Sequence, residues 1–267
     1  MTGSRLHSAS HRTDRQSVDV VIPVLNEAHV LERSVQTVRD FLREHLPYAW
    51  RVVIVDNGST DGTDMIGRRL AQLPDVEFMH LTQRGRGRAL RHAWTTSHAD
   101  MVCYTDVDLS TELPALLKLA DAILNEGYDV ATGSRLMRES RTTRSFSREL
   151  ISRCYNILVK IILFTSFSDA QCGFKAVSRR AVNEIVPQIK DESWFFDTEL
   201  LVLAEKLGYR IKDIPVEWIE DDDSRVKIAR TAWEDIKGVL RLRWMLIRTR
   251  TLPRTVARGM PSKRTVA

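Results

Sequence analysis

Short apolar runs that alternate with helical segments constrain the fold of this 267-residue chain more than any other feature. The runs are rich in β-branched residues, as is typical of strands buried on both faces of a sheet. Five of them span residues 18–24, 50–56, 76–81, 101–105 and 128–134. The intervening segments have helical periodicity, which begins with residues 27–43. This alternation predicts an α/β fold with a mostly parallel sheet and helices on both faces.

The regular alternation stops between residues 136 and 168. Residues 151–164 are apolar apart from Arg153 and Lys160. This run is too short to span a bilayer, so it predicts a core or interfacial helix. We expect a strand at residues 172–178, a helix at 195–208 and a final strand at 209–218.

The composition, with 28% charged and 43% hydrophobic residues, is that of a soluble globular protein. Three scattered cysteines, Cys103, Cys154 and Cys172, form no CxxC motif. They predict reduced thiols in a cytosolic protein rather than a disulfide framework. No stretch reaches 18 uncharged apolar residues, so we predict no transmembrane helix.

Charge and composition divide the chain into four predicted segments. These are a disordered leader without the apolar core of a signal peptide, a catalytic domain, a basic amphipathic helix and a flexible basic tail, at residues 1–17, 18–223, 224–250 and 251–267. From Ser224 onward, twelve Lys or Arg face two acids, a net charge of +10. Because the whole chain carries +5, the first 223 residues carry −5. A basic end on an acidic body predicts an anionic partner, either nucleic acid or a membrane surface.

Acidic and amide side chains follow the predicted strands where each strand ends. Asp106 and Asp108 follow the fourth strand in "YTDVDLS", Asp56 closes the second, and Asn26 and Glu27 follow the first. In a strand, residues two apart point the same way, so we expect both carboxylates on one face. A cation between them would relieve their repulsion. Open α/β sheets bind ligands at this edge, which favours a functional site.

Two glycine-containing motifs resemble known ligand loops only in part. "DNGSTDGTDMIG" is no EF-hand loop, because Arg68 stands where the last calcium ligand belongs. "RGRGRAL" lacks the third glycine of a dinucleotide fingerprint. A glycine loop that carries Arg84, Arg86 and Arg88 before a helix can still hold a phosphate, through free N–H groups and positive charge.

Eight motifs in order give the chain a family resemblance over about residues 18–228. "VVIPVLNE", "VDNGSTDGT", "RGRGRA", "DVDLS" and "GSR" resemble the family 2 glycosyltransferases of the GT-A fold. "DAQCGFKAVSR", "WFFDTELL" and "IPVEW" resemble the branch that contains dolichyl-phosphate glucosyltransferase and dolichyl-phosphate mannose synthase. The resemblance implies an inverting hexosyltransferase that moves glucose or mannose from a nucleotide-sugar, UDP-glucose or GDP-mannose, to a polyprenyl (dolichyl-like) phosphate.

The same resemblance implies roles for individual residues on the nucleotide-sugar side. Pro23, Glu27 and Asp56 match positions that hold the base and ribose, and Arg86 and Arg88 match a basic loop near the donor. Asp106 and Asp108 match the DxD motif that binds Mg²⁺ or Mn²⁺ on the donor diphosphate, with Asp108 among the catalytic residues. Ser110 stands where the mannose synthases often have Gln, so either Ser110 or water completes the metal site.

On the acceptor side, Arg135, Arg148 and Ser152 match positions that grip the acceptor phosphate, and Arg135 counts as catalytic. A phosphate monoester has its second pKa near ~6, so it is already a nucleophile at neutral pH and needs cations rather than a base. A sugar-hydroxyl acceptor would instead need a carboxylate base. Asp197 and Asp169 are the candidates, and Asp197 is equally interpretable as a helix N-cap.

Two further hypotheses remain from other classes. A sugar-phosphate nucleotidyltransferase would share the sheet, but it usually has a glycine-rich basic loop where this chain reads "VLNEAHV". A nucleic-acid-binding protein would use the basic tail, yet no aromatic residues interleave with basic ones and the body is acidic. We therefore expect no nucleic-acid partner.

A helical projection of residues 228–248 gives an amphipathic pattern. One side carries Ile228, Ala232, Ile236, Val239, Leu240, Leu246 and Ile247, interrupted by Asp235 and Arg243. An adjoining basic stripe carries Arg230, Lys237, Arg241 and Arg248, with Trp233 and Trp244 at the border. This pattern predicts peripheral attachment to the cytoplasmic face of a membrane. Packing of the apolar side on the catalytic domain, or on a membrane-protein partner, is the alternative.

Overall fold

The computed structural model describes residues 16–219 and 228–248. Its strands are β1 (Ser17–Val24), β2 (Ala49–Asp56), β3 (Val76–His80), β4 (Met101–Tyr104), β5 (Val130–Ser134), β6 (Arg141–Thr143), β7 (Lys175–Ser178), β8 (Ile211–Pro215) and β9 (Glu217–Ile219). Its α-helices are α1 (Leu31–His45), α2 (Thr63–Leu70), α3 (Arg86–Thr96), α4 (Pro114–Leu124), α5 (Phe146–Leu163), α6 (Arg179–Ile185), α7 (Phe196–Lys206) and α8 (Ile228–Arg248). A short 3₁₀ helix, Val186–Gln188, follows α6.

A seven-stranded sheet in the order β3-β2-β1-β4-β7-β5-β8 forms the centre of the molecule. All neighbours pair in parallel except β7, which runs antiparallel to both β4 and β5. The predicted mostly parallel α/β fold is therefore confirmed. β1 already begins at Ser17, which pairs with Ala49, so the predicted leader extends too far. Residues 1–15 lie outside the described part of the chain, as do 220–227 and 249–267.

The predicted final strand at residues 209–218 is two strands in the structure. β8 pairs with β5 as far as Pro215, and β9 pairs in parallel with β6 in a separate two-stranded sheet. Proline has no amide hydrogen to continue the ladder, so the chain leaves the large sheet at this point. This small sheet brings Trp218 beside the carboxyl ends of the large sheet, where it bridges to Thr111.

Two apolar clusters cover the two faces of the sheet. Val20 and Ile22 of β1 face the cluster that includes α1 and α4, whereas Val21 faces the cluster that includes α3, α5 and α7. Val239 and Leu242 place α8 on the second cluster. Both faces are buried, as the nearly continuous apolar strands predict. None of the helices in the described ranges combines the length and apolar composition needed to cross a bilayer.

Candidate active site

The carboxyl ends of the parallel strands gather the predicted polar residues at one edge. Asp56 is the last residue of β2, Asp106 and Asp108 follow β4, and Arg135 follows β5. The edge prediction from the sequence therefore places these side chains correctly relative to the sheet. The same-face argument is wrong in its premise, because β4 ends at Tyr104 and both aspartates lie in the turn that follows.

Asp106 forms an ion pair with Arg86. The Arg86 Nη2 atom lies 2.6 Å from Asp106 Oδ1. Burial raises the pKa of Asp106 to about 6, partly offset by the Arg86 charge. A Cβ atom at Gly173 would lie 2.1 Å from Asp106 Oδ2, so only glycine leaves room for this carboxylate. The guanidinium of Arg86 also stacks on Trp194, 4.8 Å from the ring centroid.

Asp108 is more exposed than Asp106 and has no ion pair among the described residues. Its Oδ1 accepts a hydrogen bond from the Ser110 amide at 3.0 Å. The turn between them places Leu109 in the left-handed region, with φ 54°. Within the described ranges, no group of three or more His, Cys, Asp or Glu side chains is arranged to hold a metal ion. Two carboxylates are therefore the protein ligands that this turn offers.

The loops after β1 and β2 hold each other in place. The Asn26 amide donates to Ser59 Oγ at 2.8 Å, and Asn26 Oδ1 accepts from the Thr60 amide at 2.7 Å. The Glu27 amide donates to Thr63 Oγ1 at 2.9 Å. These bonds fix the entrance of α1 against the "DNGSTDGT" loop, beside Pro23 of β1.

Asp56 is fully buried beneath these loops. It accepts a hydrogen bond from the Ser59 amide at 3.1 Å, and its Oδ2 lies 2.7 Å from His80 Nδ1. The sequence analysis missed His80, which closes β3. Its position at a strand end was the signal that could have identified it.

The loop that carries Arg84, Arg86 and Arg88 makes different hydrogen bonds from those predicted. The amides of Gly87 and Arg88 donate to the carbonyls of Ser193 and Glu192, both at 3.1 Å. The Gly85 amide donates to Asn57 Oδ1 at 2.8 Å. The expectation of free N–H groups for a phosphate is therefore wrong, because the 192–193 segment covers the start of α3.

Arg86 and Arg88 also pair with different residues. Arg88 pairs with Glu192 and donates to the Arg84 carbonyl at 3.0 Å. Only Arg86 reaches the DxD turn.

Arg135 is held by a buried carboxylate. Its Nε and Nη2 atoms donate to Asp169 Oδ2 and Oδ1 at 2.8 and 3.1 Å, and its own amide donates to Oδ2 at 3.1 Å. These three bonds and the Arg135 charge hold the pKa of Asp169 at about 2 despite burial. The guanidinium also lies 5.6 Å from the centroid of Trp218.

Arg148 and Ser152 both belong to α5, as their helical spacing predicts. Ser152 is buried, and its Oγ atom has no hydrogen-bond partner. Within one helical turn, Asn156 accepts a hydrogen bond from the Ala170 amide at 2.8 Å. This bond joins α5 to the loop that carries Asp169.

Asp197 is not the N-cap of α7. That position belongs to Phe195, and Asp197 lies in the first turn of the helix. It accepts a hydrogen bond from the Tyr104 hydroxyl at 2.5 Å and pairs with Lys175 Nζ at 3.3 Å. Lys175 is fully buried and donates to the Cys172 carbonyl at 2.5 Å.

This buried network supports the loop that ends at Gly173, and the sequence analysis missed Tyr104 and Lys175. A charged residue inside the apolar strand "CGFKAVS" was the available signal. Asp197 and Asp169 are both buried and paired, so neither is placed as a free base at the surface of the site.

One face of α8 packs against the catalytic domain. Val239 and Leu242 are buried, and Arg241 forms two hydrogen bonds with Glu199, at 2.9 and 2.8 Å. Asp235 is 2% exposed and accepts a hydrogen bond from Gln171 Nε2 at 2.7 Å. Placing Arg241 on an outward basic stripe is therefore wrong, because a buried carboxylate attracts it inward.

A second face of α8 points outward with a row of large apolar side chains. These are Trp233, Ile236, Leu240, Trp244 and Ile247. The spacing of three or four residues between them, or one full turn, places them along one stripe, which we call the α8 outer stripe. The single apolar side in the prediction therefore divides in two, since Val239 faces the domain. The side chains of Ile228 and Arg230 lie outside the described part.

Comparison with solved structures identifies the fold. The chain matches glucosyl-3-phosphoglycerate synthase from Mycobacterium tuberculosis in complex with UDP, with a TM-score of 0.65 and 20% identity. The match covers 86% of this chain and 81% of that one. The match shows that the sheet, with its acidic turn at the carboxyl edge, has the GT-A fold, and the predicted fold is confirmed.

Comparison with protein families identifies the chain more closely. The profile described as "Glycosyl transferase family 2" matches residues 19–186, and the chain belongs to this family. Glycosyltransferase AglD of Haloferax volcanii is 37% identical, over 91% of this chain but 40% of that protein. Dolichyl-phosphate beta-glucosyltransferase of Saccharomyces cerevisiae is 31% identical, over 82% of this chain and 72% of that protein. The predicted family resemblance is confirmed, and the protein is a glycosyltransferase.

Proposed function

We propose that this glycosyltransferase moves a hexose from a nucleotide-sugar to a polyprenyl phosphate, with inversion at the anomeric carbon. The observation that carries this proposal is the arrangement of two cation–carboxylate pairs at one sheet edge, Arg86–Asp106 and Arg135–Asp169. The names of the yeast relative and of six further relatives, all dolichyl-phosphate beta-glucosyltransferases, support this acceptor class. They favour UDP-glucose over GDP-mannose as the donor.

On the nucleotide side, we assign base and ribose contacts to the interlocked loops after β1 and β2. Pro23, Glu27 and Asp56 provide them in this proposal, and Arg86 provides the charge nearest the diphosphate. Arg88 contributes from the rim after release from Glu192. The cited synthase structure contains UDP, which fits a fold of this kind.

We further propose that Asp106 and Asp108 hold Mg²⁺ or Mn²⁺. Mg²⁺ commonly binds through one or two carboxylates together with substrate phosphates and water, and this turn offers that number of carboxylates. Such an ion would neutralise charge on the leaving diphosphate. Asp106 makes a single contact with Arg86, and Asp108 is exposed toward solvent. A related synthase structure contains Mn²⁺ with UDP.

On the acceptor side, we assign the phosphate to Arg135, Arg148 and Ser152. A phosphate monoester needs no base, because most of it is fully ionised at neutral pH. The burial of Asp169 and Asp197 supports an acceptor of this kind over a sugar hydroxyl. We assign Asp197 a positioning role, through Tyr104 and Lys175, for the loop beside Asp106.

A lipid acceptor requires the protein to reach a bilayer, and we propose that the α8 outer stripe does this on the cytoplasmic face. Its tryptophans are exposed, and the Lys237 and Arg248 cations lie over the Trp233 and Trp244 rings at 5.3 and 3.4 Å. Tryptophan and basic residues together are typical of an interfacial helix. A membrane-protein partner on this stripe is the other occupant that such a surface suits.

The test is a transfer assay with a short-chain polyprenyl phosphate and Mn²⁺, in which labelled UDP-glucose and GDP-mannose are offered separately. We expect transfer from UDP-glucose, its loss in excess EDTA and its loss in Asp108→Ala. Glu44→Ala, which removes an exposed acid of α1, serves as the control and should retain full activity. Undiminished transfer in EDTA would remove the metal from the proposal, and transfer to free sugars alone would replace the acceptor.

A further inference from the structure

A cavity of about 190 Å³ opens beside α5, outside the residues assigned above. It is lined by Leu136, Arg153, Asn156, Ile157, Lys160 and Ser168. Pockets for drug-sized ligands span about 300–1,000 Å³, so this cavity suits a smaller group than a nucleotide.

The cavity begins one residue away from the Arg135–Asp169 pair. Leu136 follows Arg135 in sequence, and Ser168 precedes Asp169. The Ser168 hydroxyl donates to Ser134 Oγ at 2.7 Å, which ties these two segments together. The cavity therefore borders the two segments that carry Arg135 and Asp169.

The cavity walls combine apolar surface with two cations. Leu136 and Ile157 provide branched apolar side chains. Arg153 and Lys160 lie seven residues apart on α5, where long side chains cover apolar surface with their stems and keep their charge in water. Arg153 pairs with Glu149, and the charge of Lys160 partly offsets the burial that raises the pKa of Asp213. Asp213, behind Ser168, accepts a hydrogen bond from the Ser168 amide at 2.8 Å.

Exposed apolar residues continue from the cavity along α5. Ile157, Ile161 and Phe164 are spaced four and three residues apart, so they form one stripe. The Arg243 guanidinium lies 5.0 Å from the Phe164 ring centroid and joins the end of α5 to α8. An apolar path therefore runs from the cavity toward the helix that carries the α8 outer stripe.

We propose that this cavity binds the first isoprene units of the acceptor lipid, with the phosphate toward Arg135 and the chain leaving along α5. A branched hydrocarbon with an anionic head complements branched apolar walls with cations at the rim. A sugar phosphate would leave Leu136 and Ile157 without a partner. The proposal rests on the polyprenyl phosphate acceptor proposed above, and it assigns Leu136 and Ile157 to recognition of the chain.

The first experiment locates the chain without any transfer reaction. The full-length protein is irradiated with farnesyl phosphate that carries a diazirine in its last isoprene unit, with and without excess unlabelled farnesyl phosphate. Trypsin cleaves after Arg153 and Lys160 and releases the peptide 154–160, which contains Ile157. We expect competable label in this peptide and in the next one, 161–175.

The outcomes separate the two proposals. Competable label confined to other peptides would overturn the cavity assignment and leave the acceptor class intact. A lack of competable label anywhere would overturn both. Competition by inorganic phosphate at the same concentration as farnesyl phosphate would show that the head alone determines binding, which also overturns the role of the cavity.

The second experiment compares two matched substitutions on α5. Ile157→Asn alters the cavity wall, and Leu150→Asn alters a residue of similar exposure, 51% against 55%, that does not line the cavity. One buried methylene group is worth about fourfold in binding. We therefore expect Ile157→Asn to weaken farnesyl phosphate binding by about tenfold and Leu150→Asn to leave it unchanged. UDP binding should be unchanged in both, and equal farnesyl phosphate affinities in the two variants would overturn the proposal.

Discussion

The two arginine–aspartate pairs of the site are built differently. On the nucleotide side, the Asp106 side chain is 37% exposed, and its contact with Arg86 is a single 2.6 Å bond. On the acceptor side, Asp169 is fully buried and accepts three hydrogen bonds from Arg135 alone. The pKa shifts run in opposite directions, to about 6 for Asp106 and to about 2 for Asp169.

This difference indicates different roles for the two pairs. A weakly held, partly exposed carboxylate can exchange its arginine for an ion or a phosphate. A buried carboxylate with every bond satisfied instead fixes the arginine and the loop around it. Asp106 therefore suits binding chemistry, and Asp169 suits the positioning of Arg135.

The largest expected effect comes from breaking the buried pair. Asp169→Asn leaves the Arg135 charge without its counter-ion, and loss of one partner of a buried ion pair typically costs about 3–5 kcal/mol. We expect a decrease of that size in the free energy of unfolding, measured by urea denaturation. The matched change Asp106→Asn should cost less than about 1 kcal/mol while it abolishes transfer.

A double variant sharpens this test. Asp169→Asn combined with Arg135→Met removes both charges and should recover most of the lost stability. Equal destabilisation by Asp169→Asn and Asp106→Asn would contradict the distinction between the two pairs.

The buried pair also extends to α8, which predicts a pH dependence of stability. The Gln171 amide donates to Asp169 Oδ1 at 3.1 Å, and its side chain donates to Asp235 Oδ2 at 2.7 Å. Burial, followed by the nearby Asp191 and Glu234 charges, raises the pKa of Asp235 to about 7.

The folded state therefore retains a proton on Asp235 between about pH 4 and 7 that the unfolded chain has released. Stability from this group is complete below about pH 4 and falls as the pH rises through 7. We expect wild type to lose about 2–3 kcal/mol between pH 5 and 8 relative to Asp235→Asn. Parallel pH profiles for the two proteins would show that Asp235 is not protonated in the fold. Asp169 acts oppositely, since its contribution is lost only as the pH falls from about 4 to 2.

A substitution at Gly173, the glycine that leaves room for the Asp106 carboxylate, tests the nucleotide-side pair. In Gly173→Ala, the new Cβ atom would collide with Asp106 Oδ2, so the carboxylate must leave its position. We expect transfer to decrease about hundredfold, equivalent to about 2.7 kcal/mol, with the chain still folded.

Gly208→Ala is the control, because its Cβ atom meets nothing within 4 Å although φ is +83°. Its cost of about 1 kcal/mol in stability should leave transfer intact. Full activity in Gly173→Ala would show that the position of Asp106 does not matter.

The sequence predicts the nucleotide side of the molecule better than the acceptor side, for a physical reason. The strands from β1 to β4 are parallel and joined by single helices, so local periodicity indicates the edge of the sheet where Asp56 and Asp106 emerge. The acceptor side depends on β7, which runs antiparallel between β4 and β5. No local pattern encodes that insertion.

The spacing of residues in the sequence likewise does not predict which partner each side chain of the site contacts. Arg86 and Arg88 have the same residue type in the same loop, yet one reaches Asp106 and the other Glu192, about a hundred positions away in sequence. In the sequence, Asp235 interrupts the apolar side of the predicted helix. In the structure its carboxylate is buried and accepts a hydrogen bond from Gln171, a long-range contact that no local pattern encodes.

The smallest expected effect concerns the outward face of α8, which differs from the rigid acceptor-side network on its inner face. If the α8 outer stripe enters a bilayer interface, Leu240→Glu removes apolar burial and adds a charge that anionic lipids repel. We expect about tenfold weaker partition onto vesicles with anionic lipid at low salt, measured by flotation. Unfolding stability should remain unchanged, because Leu240 is exposed whereas the neighbouring Val239 is buried. Leu150→Glu, an exposed leucine on α5, controls for the added charge. If wild-type protein does not bind such vesicles, a protein partner is the remaining occupant of the α8 outer stripe. The inner contact of Asp235 with Gln171 would still connect α8 to Asp169 of the acceptor-side pair.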